Sequence, residues 1–228
     1  MEVIMGNKKD FGDGIVFTII NYIWWFLLAN FYFWIMNIPL VFVFIATNGN
    51  AKLNLLLIIS ALPIGPALTA LFSIMGKLIR EKDLNITTDF FKAYKVNFFE
   101  SLFFWTLQII VISILYLDKM YLNSTMPLPW LEAALSVFII MCLAMNFYIF
   151  PIISRFSFKK FYIIKLSAYY LVKRFYICLS ALAVIYFGWI SLNKGFAFIL
   201  LFFLSILCYI VMLLQRKTLY EIEKNLQN

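Results

Sequence analysis

Residues 53–75 read LNLLLIISALPIGPALTALFSIM, a stretch without a single charged side chain. A helix needs roughly 17 to 25 apolar residues to cross a hydrocarbon layer of ~30 Å, so this segment reads as a membrane span. Two patterns inside it matter. Ala61, Gly65, Thr69 and Ser73 recur every four residues, placing small side chains on one face where another helix backbone can approach closely. This is the expected helix-packing seam. Pro63 and Pro66 interrupt the same span, so the carbonyls of Ile59 and Leu62 lose their usual donors and need other partners. Such a break either lines a polar cavity or is a kink buffered by neighbouring helices and by the hydroxyls of Ser60 and Thr69.

Working outward, five further apolar runs of comparable length cover residues 22–45, 101–117, 131–151, 176–192 and 196–214. The fold class expected is all-α: one polytopic domain over residues 1–228 with six transmembrane helices. Composition agrees. Of 228 residues, 64% are hydrophobic and 13% charged, against roughly half and about a quarter in soluble domains. The first run starts near Ile15, too long for an upright crossing. Phe11–Tyr22 is therefore expected at the interface, with Trp24 and Trp25 at headgroup level before the true span.

The charges orient the chain. Sixteen of the 19 Lys and Arg residues fall in the N-terminal segment, the connections 76–100 and 152–175, and the C-terminal segment; only Lys52, Lys119 and Lys194 fall on the other side. Positive loops resist translocation, so both termini and the two long connections are expected on the cytoplasmic side of the membrane. Nucleic acid is excluded as a partner, because the basic residues are distributed as topology alone requires. The outer connections, 46–52, 118–130 and 193–195, are short.

Chemistry is sparse. The chain has no His, which removes the commonest general base and metal ligand. Cys142, Cys178 and Cys208 lie separately in apolar runs, so no metal site, cofactor or catalytic residue is expected, and the reading is non-enzymatic. Within the spans, Asn30 and Asn37 are seven residues apart on one face; amides in hydrocarbon need partners, and Gln108 and Asn146 are the candidates to complete a polar path. No Asp, Glu, Lys or Arg lies mid-span, as an ion-coupled pump would usually require.

The long connections are basic and aromatic. In the first, Thr88 and Asp89 are placed to start a short interfacial helix, followed by Phe90, Phe91, Lys92, Tyr94, Lys95 and Phe98. The second carries Arg155, Lys159, Lys160, Lys173 and Arg174 among Phe156, Phe158, Phe161, Tyr162, Tyr169 and Tyr170, with no acidic residue. Such surfaces suit the lipid bilayer's anionic headgroups, or a cytosolic partner. A faint parallel echo relates Pro66 and Lys95-Val96-Asn97-Phe98 to Pro151 and Lys173-Arg174-Phe175.

The stretches Leu62-Pro63-Ile64-Gly65-Pro66-Ala67, Thr88-Asp89-Phe90-Phe91-Lys92-Ala93-Tyr94-Lys95 with Asn97-Phe98, and Phe150-Pro151 with Ser154-Arg155-Phe156 resemble the YesL-like family of bacterial membrane proteins of unknown function, over roughly residues 15 to 215. The resemblance implies an accessory role in carbohydrate uptake beside subunits of an ABC transporter. It carries over no catalytic residue. The expectation is a non-enzymatic accessory protein; the alternative is a substrate-specific permease or channel along the first and second spans. An ABC permease itself is disfavoured, since Gly76 follows the second span without the Glu-Ala-Ala start of an ATPase-coupling loop.

Overall fold

Proline sets where several helices begin and break. The computed structural model of the chain describes residues 15–47, 55–81, 84–125 and 128–227. Helix α1, Ile15–Met36, stops at Asn37, and α2, Ile38–Ala46, restarts with Pro39 in its first turn. Proline has no N–H to continue the ladder and its ring clashes with the carbonyl four residues back, so the break precedes it. Pro63 and Pro66 act likewise. Helix α3, Leu55–Ser60, ends in a turn at residues 61–63, and α4, Ile64–Glu81, resumes with Pro66 in its first turn. Helix α5 runs Ile86–Thr125, and α6 runs Pro129–Ile153, opening on proline where a missing N–H is harmless. Then come α7, Lys160–Lys173, and α8, Tyr176–Asn193. A 3₁₀ segment, Ala197–Leu201, leads into α9, Phe203–Gln227.

Among the described residues there is no strand, and six stretches are long and apolar enough to cross a membrane: Phe17–Met36, Leu55–Glu81, Ile86–Leu122, Pro129–Ile153, Tyr176–Asn193 and Phe203–Leu226. The outer surface agrees. Phe42, Ile45, Phe187 and Trp189 are each at least 65% exposed, and apolar area on this scale is the mark of a lipid-facing wall. The chain is a multi-pass membrane protein.

The expected boundaries need four corrections. In the first run, α1 passes Trp24 and Trp25 without interruption, and the break falls at Asn37, where Pro39 forces it; residues 11–14 lie outside the described residues. The second span, expected over 53–75, continues as helix to Glu81. The short interfacial helix expected ahead of a span at 101–117 is instead continuous with it. At 1.5 Å per residue, the 40 residues of α5 extend about 60 Å, roughly twice the hydrocarbon thickness, so the helix projects beyond the bilayer. The last span, expected at 196–214, is displaced towards the C-terminus: Gly195, at φ 85°, turns the chain, the 3₁₀ segment follows, and α9 then runs to Gln227. Most of the second long connection is likewise helix, not loop.

Helix α4 is the hub. Its most extensive neighbour is α5, followed by α9, with α1 and α6 also against it. Small residues make this possible. An added Cβ on Gly65 would lie 2.5 Å from Trp105 Cβ and 3.0 Å from the Ser101 carbonyl, so α4 and α5 touch nearly backbone to backbone. Helices α8 and α9 form an antiparallel hairpin, while α2 and α3 pair at the periphery. Where α5 is one continuous helix, α7 and α8 are separated at Arg174 and Phe175.

Candidate functional site

Three places bring together the residues singled out from the sequence. The first is the broken second span. Trp105 of α5 donates its Nε1–H to the Ala61 carbonyl at 2.8 Å, bridging the α3–α4 turn to the neighbouring helix. Leu62 N–H supplies the Ile59 carbonyl at 3.2 Å. Ser60 and Thr69 serve other acceptors than expected: Ser60 Oγ donates to Leu57 and Thr69 Oγ1 to Gly65. Within the small-residue row, Gly65 and Thr69 are buried, Ala61 lies in the turn, and half-buried Ser73 borders a polar cavity. The Ala61 carbonyl also accepts the Ile64 N–H at 3.2 Å, and the indole's donation to this turn was the feature that sequence reading missed.

The second place is the polar interior. Asn30, buried in α1, donates Nδ2–H to the Leu200 carbonyl of the 3₁₀ segment at 2.8 Å. Asn37 donates to Phe33 within its own helix end, and Gln108 of α5 to Cys142 of α6. These amides therefore do not form the single path expected of Asn30, Asn37, Gln108 and Asn146. Each of the first three goes to a different carbonyl because helix breaks and bundle contacts expose those carbonyls locally. All four retain a buried side-chain oxygen without a partner. Gln215 of α9, not singled out before, is 1% exposed and donates to the Phe147 carbonyl of α6, and Ser205 Oγ donates to Phe26 at 2.8 Å. Gln215 fell just beyond the span expected at 196–214, whereas Ser205 lay within it and offered only a single hydroxyl as a signal.

The third place is the end of the bundle where α4, α6, α7 and α9 finish and α5 begins. Among the described residues, four ion pairs between different elements hold it together. Lys77 Nζ donates to both carboxylate oxygens of Asp89 at 2.9 and 2.8 Å. Arg155 meets Glu223 at 2.6 Å, while Lys173 and Arg174 share Glu221 at 2.6 and 2.7 Å. Arg155, Lys173 and Arg174, expected at headgroups or a partner, thus also carry carboxylate partners within the chain, because α9 extends far enough to bring Glu221 and Glu223 against them. The hydrogen bonds that Lys173 Nζ donates to Glu221 and to Tyr169 hold it above the ordinary lysine range. Tyr148 OH donates to the Arg174 carbonyl at 2.7 Å, fastening the α7–α8 junction to α6.

Helix α5 starts as its first-turn acid suggests. Asp89 accepts the Asn85 N–H at 3.2 Å, while Thr88, inside the helix, donates to the Asn85 carbonyl and does not cap. Its aromatics mostly turn inward. Phe90 is fully buried, with Tyr32 of α1 at 5.6 Å from its ring and 5.2 Å from that of half-buried Phe91. Tyr94 and Phe98 are half-buried, at 5.5 Å from each other. The outward residues are Lys92, Lys95, Val96 and Phe99, together with Lys159, Lys160, Phe161 and Val172 on and beside α7. Lys160 also sits 3.7 Å over the Phe103 ring.

Known proteins cover the first half of this architecture. Residues 17–119 match the model of a family described as "Protein of unknown function, DUF624". Over those residues the chain is similar to the YesL-like DUF624 family. The chain is also 32% identical to the "Uncharacterized protein YteU" of Bacillus subtilis (strain 168) over 104 residues, 45% of this chain and 47% of that protein. The aligned region thus spans less than half of that relative's length. No solved structure matches the chain. The family match includes Leu62–Ala67 and Thr88–Phe98 and stops short of Phe150–Phe156, so the third resembling stretch lies outside it.

Proposed function

We propose that this DUF624-type membrane protein is a non-enzymatic accessory subunit, associated with carbohydrate uptake by an ABC-type system, with its basic end in the cytoplasm. The observation that carries the reading is how the interior polar groups are used. Trp105, Asn30, Gln108 and Gln215 each donate to a backbone carbonyl of another segment, which ties segments together and lines no common path. What faces outward at the basic end is amphipathic. Phe99, one turn from Lys95, is 82% exposed, and Val172, next to Lys173, is 81% exposed, pairings suited to the headgroup boundary or to a membrane-embedded partner. The link to sugar uptake comes from the YesL-like resemblance. The absence of His from the whole sequence supports the non-enzymatic reading.

The test is purification of the tagged full chain from native membranes in mild detergent. ABC permease subunits should accompany it in fixed ratio and be lost on Val172→Glu or Phe99→Glu. A chain that elutes alone contradicts the proposal. A permease reading is favoured by one observation, the adjacent breaks at Asn37 and residues 61–63 with an unpartnered Asn37 oxygen. Solute flux into liposomes that Asn37→Leu abolishes would establish it instead.

A further inference from the structure

A polar cavity of about 320 Å³ opens at the basic end, between the last turns of α4, the first turns of α5 and the segment after α6. Its walls carry three cations, Lys77, Lys92 and Arg155, and one carboxylate, Asp89, beside the side chains of Asn97 and Ser157. The carboxylate is already occupied. Both its oxygens accept Lys77 Nζ, and one also accepts the Asn85 N–H. Arg155 gives Nη2 to Glu223 and keeps further N–H donors, since a guanidinium carries five. Lys92 is exposed and has no ion pair among the described residues. The cavity is therefore rich in charged donors and poor in free acceptors, the chemistry that receives several oxygens of one anion.

Its depth narrows the ligand. The cavity lies where α4 and α6 end and α5 begins, the level at which a bundle of these spans leaves hydrocarbon for the headgroup layer. We propose that it binds a phosphate ester group, with Lys92 and Arg155 as its principal donors and the Lys77–Asp89 pair as a fixed wall. The group can belong to a phospholipid headgroup or to a soluble phosphate ester. The proposal does not depend on the accessory role and survives its failure.

The experiment uses the purified full chain in two arms. In the first, sn-glycerol 3-phosphate is titrated calorimetrically against the protein in detergent. In the second, native mass spectrometry counts lipid retained from nanodiscs of phosphatidylcholine with and without phosphatidylglycerol. One saturable site in the first arm identifies a soluble ester; one retained phosphatidylglycerol in the second alone identifies a headgroup. Lys92→Gln should weaken whichever binding is seen by about tenfold or more, the loss of one charge-assisted hydrogen bond, and Lys92→Arg should restore it. Lys95→Gln, one turn away and outside the cavity, should leave it unchanged. Lys92 anchors no other described residue, so its variant is expected to fold, and its unchanged melting temperature without ligand checks that. No saturable binding in either arm, or equal weakening by Lys92→Gln and Lys95→Gln, overturns the proposal.

Discussion

Replacing Gly65 with alanine tests the closest contact in the bundle. The added methyl would sit 2.5 Å from Trp105 Cβ, 2.8 Å from its Cγ and 3.0 Å from the Ser101 carbonyl. Two of those atoms are backbone or fixed to it, so no side-chain rotation relieves the overlap and α4 must move off α5. Overpacking of this kind costs about 1–3 kcal/mol, with the upper part expected here. Alanine recovers less than its usual gain of about 1 kcal/mol over glycine, because Gly65 lies in the first turn of α4. Gly76→Ala is the internal control. Its methyl meets Met212 Cε at 2.4 Å, the far end of a flexible side chain, and Gly76 is mid-helix, so helix propensity roughly offsets the strain. Thermal unfolding in detergent, followed by circular dichroism, should show Gly65→Ala melting several degrees lower and Gly76→Ala close to the parent. Since the clash is with Cβ, Trp105→Ala should not rescue Gly65→Ala. A Gly65→Ala protein as stable as the parent, or one less affected than Gly76→Ala, would refute the reasoning.

Trp105→Phe keeps an aromatic ring but removes the donor to Ala61; a loss of about 0.6–1.7 kcal/mol is expected for an interhelical hydrogen bond in a membrane, measured by unfolding in mixed micelles. Glu221→Gln should cost at most about 1 kcal/mol, because both of its pairs are partly exposed, and the cost should shrink in high salt; a salt-independent loss would contradict that. Because its partners raise the Lys173 pKa in the folded chain, the lysine's contribution is complete below its unfolded value near 10.5 and fades only as pH climbs through the higher folded value. Melting temperatures of the parent and Lys173→Met should therefore differ by the same amount at pH 7 and pH 9, and a gap that closes between them would refute the assignment.

Span number and helical class were legible because each run is long, apolar and free of mid-span charge, and hydrocarbon tolerates few alternatives to a helix. Boundaries were less so. Pro39 marked the break at Asn37, but length arithmetic directed attention to Trp24 and Trp25, where the helix is in fact continuous. The start of α5 was visible in Asp89, whereas its fusion with the following span was not, because an amphipathic first half and an apolar second half have different periodicities on one helix. Pairing lay beyond sequence altogether. Glu221 and Glu223 lie beyond the last expected span, and only the continuation of α9 sets them against Arg155, Lys173 and Arg174. The Asn30 and Gln108 side chains could be recognised as needing partners, but the carbonyls they reach, Leu200 in the 3₁₀ segment and Cys142 within α6, are set against them only in three dimensions, as is the Ala61 carbonyl that Trp105 reaches.

Membrane insertion with the basic end inward is tested most directly by single-cysteine labelling in intact cells, after Cys142, Cys178 and Cys208 are replaced. A membrane-impermeant maleimide should label Lys194→Cys, in the exposed α8–α9 turn, from outside. It should label Lys160→Cys, at the start of α7, only once the cells are permeabilised. Labelling of position 160 but not 194 in intact cells would contradict the account.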